Sequence, residues 1–254
     1  SNVNTSNMQL GQDESNIEDK KDALDKPETA SSSVSAPIPN PLGRSHSSNY
    51  SGTDSGDDDF EDAVDVGVGI FIIWRDNRQG GSDIYGQLFD YSGNFQGPED
   101  GIAIAEYEND QTNSNITFHD TLNEVLVCWE DYSSGTDYDL ACSTVNLSNL
   151  EVNNSLGFPT YVIAEGQGDQ INVDTYKAEN GNYMIVWEDS RNNSDENLQT
   201  HTDIYYQEIN IQGEFIYDDN GIAVCDSYHI QTEPQISLYS KSDSEQSYII
   251  YWTD

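Results

Sequence analysis

The chain has 254 residues, with 47 Asp or Glu against 9 Lys or Arg, a formal net charge of -38 and a pI near 4.1. Charge of that sign repels phosphate backbones and anionic headgroups, which excludes nucleic acid and anionic membrane surfaces as partners. The longest apolar run, Val66 to Trp74, is too short to cross a bilayer and holds two glycines, which excludes membrane insertion.

The first 66 residues carry 14 acids and 4 bases, with Tyr50 and Phe60 their only aromatics. Ser-Asn-Gln-rich stretches, the Pro37, Pro39 and Pro41 cluster and the acidic run around Asp57 to Asp62 offer no periodic apolar face. Residues 1–62 therefore read as a disordered acidic arm. The chain opens on Ser1 with no apolar leader, so it reads as processed or cut from a longer precursor. Cys128, Cys142 and Cys225 are too few for a disulfide scaffold, and four scattered histidines lack zinc-ligand spacing.

From residue 63 onward the chain repeats. Trp74, Trp129, Trp187 and Trp252 each close an apolar run such as Val125-Leu126-Val127-Cys128-Trp129, rich in β-branched and aromatic residues. Continuous hydrophobicity over four to six residues predicts a strand covered on both faces. Asp83-Ile84-Tyr85, Asp139-Leu140-Ala141 and Asp203-Ile204-Tyr205 then read as hairpin partners of the first three Trp strands. Each partner runs into a four-residue turn, Asp90 to Gly93, Asn146 to Asn149 or Asn210 to Gly213. There the first side chain caps amides, and the last residue is expected at positive φ.

A short strand ending in Ala105, Ala164 or Cys225 precedes Gln111, Gln170 and Gln231 by six residues. Four strands per unit of about 60 residues, paired locally, predict an all-β partial β-propeller of about three and a half four-stranded antiparallel blades. The blades are expected at about 63–106, 111–165, 170–226 and 231–254. The first lacks a recognisable inner strand and the last lacks outer strands. An open fan exposes edges, so the rest of a longer chain or a second copy is expected to complete the ring.

The pattern W-x-D-x-R, D-I-Y-x-Q, G-x-A-V-C and Q-x-x-P-x-I resembles bacterial secreted and surface propeller repeat proteins, common among Bacteroidetes cargo of the type nine secretion system. It is carried best by Trp187 to Arg191, Asp203 to Gln207, Gly221 to Cys225 and Gln231 to Ile236. The resemblance covers residues 67 to 254 and implies a propeller on an exported protein, extracellular or at the cell surface. Blade two departs from it, with Ser133 where Arg78 and Arg191 stand.

The repeated residues Trp74, Asp76, Arg78, Asp83, Trp129, Asp131, Asp139, Trp187, Asp189, Arg191, Asp203 and Trp252 are read as structural. Arg between two carboxylates pins its hairpin, and the tryptophans pack in the core rather than stack on sugars. Acids at one blade rim could hold Ca²⁺, which takes six to eight oxygens, yet no D-x-D-x-D-G loop occurs and no cofactor is expected. No acid is set apart by a catalytic motif. The function expected is a non-enzymatic recognition or scaffold module for a protein or glycan, and the second reading is a fragment of a propeller glycoside hydrolase or sialidase-like enzyme. If Asp131 and Asp139 oppose one another, Cys128 faces Cys142, close enough for a disulfide, and Cys225 is left as a buried free thiol.

Overall fold

The computed structural model describes residues 3–8, 59–153, 160–192, 201–227, 229–241 and 246–254. Every regular element among them is a β-strand. Blade one is β2 (Asp59–Asp65), β3 (Gly69–Asp76) and β4 (Asp83–Asp90), with β5 (Phe95–Gln96) and β6 (Ile102–Ala105) sharing the outer edge of β4. Blade two repeats this with β7 (Gln111–His119), β8 (Glu124–Asp131), β9 (Asp139–Asn146), β10 (Glu151–Asn153) and β11 (Tyr161–Ala164). Blade three is β12 (Gln170–Lys177), β13 (Tyr183–Asp189), β14 (Asp203–Ile209) and β15 (Ile222–Cys225). All pairings are antiparallel, and successive blades meet through their first strands, β2 on β7, β7 on β12 and β12 on β16 (Thr232–Lys241). This is a partial β-propeller, with the first strand of each blade innermost.

Two expectations about the ends are corrected. Blade one does possess an inner strand: Asp59–Asp65 pairs with β3 in the register Ala63 opposite Ile72 and Val64 opposite Phe71. It was hidden because its outward positions are acidic and no glutamine marks its start. Blade four also has a third strand, since β1 (Val3–Met8) pairs antiparallel with β17 (Gln246–Thr253), Asn4 opposite Trp252. The arm read over residues 1–62 thus contains strand at both ends. Residues 9–58 of it lie outside the described residues.

The unbroken hydrophobicity of the Trp strands follows from packing on two sides. Along β8, Val125, Val127 and Trp129 join Phe71, Ile73 and Ile84 of blade one, while Leu126 and Cys128 join Ile185 and Trp187 of blade three. A third cluster sets Val186 and Tyr206 against Ile236, Ile250 and Trp252. Period-two side-chain alternation gives each middle strand two apolar faces, and each fully buried aliphatic chain contributes about 1.5–3 kcal/mol. The glycine of Gly101-Ile102-Ala103 and of Gly221-Ile222-Ala223 has a structural reason. Both lie at positive φ, 81° and 69°, and a Cβ there would strike the ring of Trp74 or Trp187.

Candidate functional site

The Trp hairpins came first from the sequence, and their chemistry is inward-looking. The indole Nε1 of Trp74, Trp129 and Trp187 donates to Asp76, Asp131 and Asp189 two residues on, at 3.2, 3.3 and 2.8 Å. Asp76 also accepts from the backbone N–H and guanidinium of Arg78, Asp189 from those of Arg191, and Asp131 from Ser133. Each guanidinium then stacks over the tyrosine of the next strand, Tyr85 or Tyr205, 4.1 Å from the ring centroid. Burial pushes Asp76 up, but the Arg78 hydrogen bonds and charge outweigh it and hold the carboxyl below its ordinary range. Trp252 keeps the buried position, while its indole N–H meets no acceptor among the described residues.

The second carboxylate of the expected pin is not engaged by arginine. Arg78 donates to Asp76 and to the Asp100 carbonyl. Asp203 instead accepts from Asn192, Asp139 from the Gly166 N–H, and burial raises both carboxyls. The turn expectation also needs correction in blade two: Gly93 and Gly213 have positive φ, but between them it is Leu150, not Asn149, that takes φ 57°. With no glycine available, that turn closes one residue later, through Leu150 N–H to the Asn146 carbonyl.

The β8–β9 register sets Asp131 opposite Asp139 and Cys128 opposite Cys142. The two cysteines are joined by a disulfide, with Cα atoms 4.0 Å apart. Cys225 is free and half-buried rather than enclosed, because β15 is the outer strand of its blade. Gln111, Gln170 and Gln231 are fully buried and brace the crossover into each blade, donating to the carbonyls of Glu108, Gly168 and His229.

The residues that sequence reasoning missed lie on the inner strands. Those of blades two, three and four each carry a bulge with a left-handed residue: Asn113, Asn172 and Glu233, at φ 55°, 53° and 54°. The bulge turns an N–H out of the sheet ladder toward the preceding blade. Glu130 accepts the Asn172 N–H at 2.8 Å and Glu188 the Glu233 N–H at 2.6 Å, while Asn113 and Asn172 donate their side-chain amides to the glutamate of their own blade. Glu130 and Glu188 are 6% and 2% exposed, and burial raises both carboxyls above the ordinary range. Both follow a tryptophan directly, the one sequence signal that could have singled them out.

Opposite the residue that precedes each of the first three tryptophans stands a second inner-strand set, Asp62, Asn115 and Asp174. Each accepts a backbone N–H from the next blade: Ile116, Thr175 and Ile236, at 3.3, 3.1 and 2.8 Å. Asn115 also donates to Asp174 at 3.4 Å. Asp62 and Asp174 are half-buried, burial raises both carboxyls, and the charge of Asp62 adds to the rise at Asp174. The charge of Asp62 in blade one thus bears on Asp174 in blade three, and the Asn115 amide of the blade between them contacts Asp174. Among the described residues no group of three or more His, Cys, Asp or Glu is placed to hold a metal ion, and no helix is long and apolar enough to cross a membrane.

No protein-family model matches the chain, and no curated protein does. Among solved structures it is similar to an endo-arabinase from Bacteroides thetaiotaomicron, with 12% identity and a TM-score of 0.48 over 78% of this chain and 75% of that one. It is also similar to a thermostable family-43 glycoside hydrolase, with 10% identity and a TM-score of 0.45 over 69% and 60% of the two chains. A family-32 β-fructofuranosidase from Bombyx mori gives 11% identity and a TM-score of 0.43, with 77% of this chain covering 43% of that one. The chain thus spans about three-fifths of the family-43 hydrolase. These relationships concern the fold. The expectation of a non-enzymatic module is corrected to this extent: the solved structures named are glycoside hydrolases, the class of the second reading.

Proposed function

We propose that this propeller hydrolyses glycosidic bonds, with Asp62 and Asp174 as its carboxyl pair. Hydrolysis of an acetal needs one carboxyl protonated, to give its proton to the leaving oxygen, and one ionised, to activate water or attack the sugar. The observation that carries this reading is that Asp62 and Asp174 are half-buried at matching places on β2 and β12, with the charge of one raising the other. Like charges that interact favour a singly protonated pair. Burial raises both carboxyls, so either can hold the proton that the acid gives up. Asn115, donating to Asp174, orients it.

We further propose that the protein works outside the cytoplasm, as the exported repeat proteins it resembles do. The Cys128–Cys142 disulfide supports this, because such bonds persist in oxidising compartments. The activity is tested by reducing-sugar release from a panel of arabinans, fructans and xylans, with Asp62→Asn and Asp174→Asn as variants and thermal melts to verify folding. Both substitutions are expected to lower kcat at least a thousandfold. Whichever variant lacks the acid should retain more activity on aryl glycosides with good leaving groups, which tells the acid from the base. No hydrolysis of any panel member by the folded chain, or turnover indifferent to both substitutions, overturns the reading.

A further inference from the structure

Where blade one meets blade two, a cavity of about 540 Å³ opens at the mouth of the β3–β4 hairpin, lined by Asp83, Glu106, Glu108, Asp110, Tyr107 and Tyr132. Acidic walls alone are unremarkable in a chain of net charge -38, but Asp83 is different. It is 2% exposed, and its Oδ2 is buried with no hydrogen-bond partner. A buried carboxylate oxygen left so costs several kcal/mol unless neutralised or paired.

The repeats make an internal control. In blade two the equivalent Asp139 accepts the Gly166 N–H at 3.1 Å, and in blade three Asp203 accepts from Asn192 at 2.9 Å. Counting from Ala105 and Ala164, the counterpart of Gly166 in blade one is Tyr107. Its N–H goes instead to the side chain of Gln111, at 3.2 Å. Counting from Arg78 and Arg191, the counterpart of Asn192 is Gln79, which lines the cavity without donating to Asp83. Blade one has thus lost both internal donors at a hairpin mouth that opens into an acid-walled cavity.

We propose that this cavity binds an organic cation, a protonated amine or a guanidinium, with Asp83 as its buried anchor and Glu106 and Asp110 as the flanking charges. The volume is far larger than a bare ion needs, and two aromatic residues, Tyr107 and Tyr132, stand in its wall beside the carboxylates. One oxygen of Asp110 already accepts the Ser82 N–H, and Tyr85 donates to Glu106, so both flanking carboxylates are held in place. Burial, together with the charges of Glu106, Asp76 and Asp110 and against that of Arg78, lifts Asp83 to about 7. A bound cation would offset that repulsion, so affinity should increase from pH 6 to pH 8.

The test is calorimetric titration of the full chain at physiological ionic strength, where diffuse attraction to the acidic surface is screened. The probes are agmatine and spermidine as free cations, an acetylated arginine tripeptide as the side-chain source, and calcium chloride. A single saturable site for agmatine or the tripeptide, weakened at least tenfold by Asp83→Asn, weakened less by Glu106→Gln and unchanged by Asp139→Asn, supports the assignment. The stronger of the two arms tells a metabolite from a basic peptide. If Asp83→Asn fails to fold, Glu106→Gln and the pH dependence carry the test. Binding weaker than about 1 mM, binding equal in wild type and Asp83→Asn, or tighter binding of calcium at the same residues overturns it.

Discussion

The joint between blades one and two differs from the two that follow it. At the later joints the residue after tryptophan, Glu130 or Glu188, reaches across to the N–H that the next inner-strand bulge turns outward. At the first joint that residue is Arg75, which cannot accept and pairs instead with Asp59. Glu61, on the inner strand itself, takes over and accepts from the N–H groups of Asn113 and Ser114 and the Ser114 hydroxyl. What is common to all three joints is a carboxylate facing an outward-turned amide, whichever strand supplies it. The bulge creates an unpaired donor at every joint, and a buried donor demands an acceptor.

The difference in burial ranks the consequences. Glu188→Ala strips the acceptor from the Glu233 N–H and the Asn172 side chain at a site 2% exposed, and should cost about 2–4 kcal/mol by urea denaturation. Glu188→Gln, which keeps an acceptor oxygen, should recover more than half of the loss. Equal losses from the two variants would show that shape, not the hydrogen bond, holds the joint.

Glu61→Ala should cost less, about 1–2 kcal/mol, because Glu61 is half-exposed and water can serve the amides it leaves. The same denaturation measurement checks it, and a loss as large as that of Glu188→Ala would break the comparison.

The last contrast is one of pH. Asp83 has an ordinary carboxyl value near 4 when unfolded and about 7 when folded, so the folded state holds its proton more tightly. Its contribution to stability is full below pH 4 and is lost as pH rises toward 7. Asp83→Asn should therefore flatten the stability slope across that window and raise the melting temperature at pH 8, by about 2–4 °C per kcal/mol recovered. Asp139, whose carboxyl accepts the Gly166 N–H, should give a smaller change when replaced by Asn. A carboxyl titration of Asp83 by NMR with its midpoint near 4 would remove the basis for this contrast.

Much of the fold was legible in the residues. The runs ending in Trp74, Trp129, Trp187 and Trp252 declare strands covered on both faces, whereas the indole-to-carboxylate bond within each Trp-x-Asp of the first three hairpins came to light only in the structure. Asp62 and Asp174 did not stand out among 47 acids, since nothing local separates a carboxyl facing the next blade from one facing solvent. The expectation of a non-enzymatic module rested on that silence.

The sequence by itself determined the Trp strands from Gly69 onward and the hairpins they make with the strands that follow, and it placed Cys128 opposite Cys142 once Asp131 was set against Asp139, because side-chain period and short hairpins are local properties. Only the tertiary structure decided that Val3–Met8 joins the last blade beside Gln246–Thr253, and that Asp59–Asp65 is the first inner strand. It alone also decided that Glu61 stands in where Arg75 cannot, and that Asp83 lacks the donor its counterparts have. Each of these depends on groups brought together from distant segments or from separate blades, where no periodicity along the chain records the encounter.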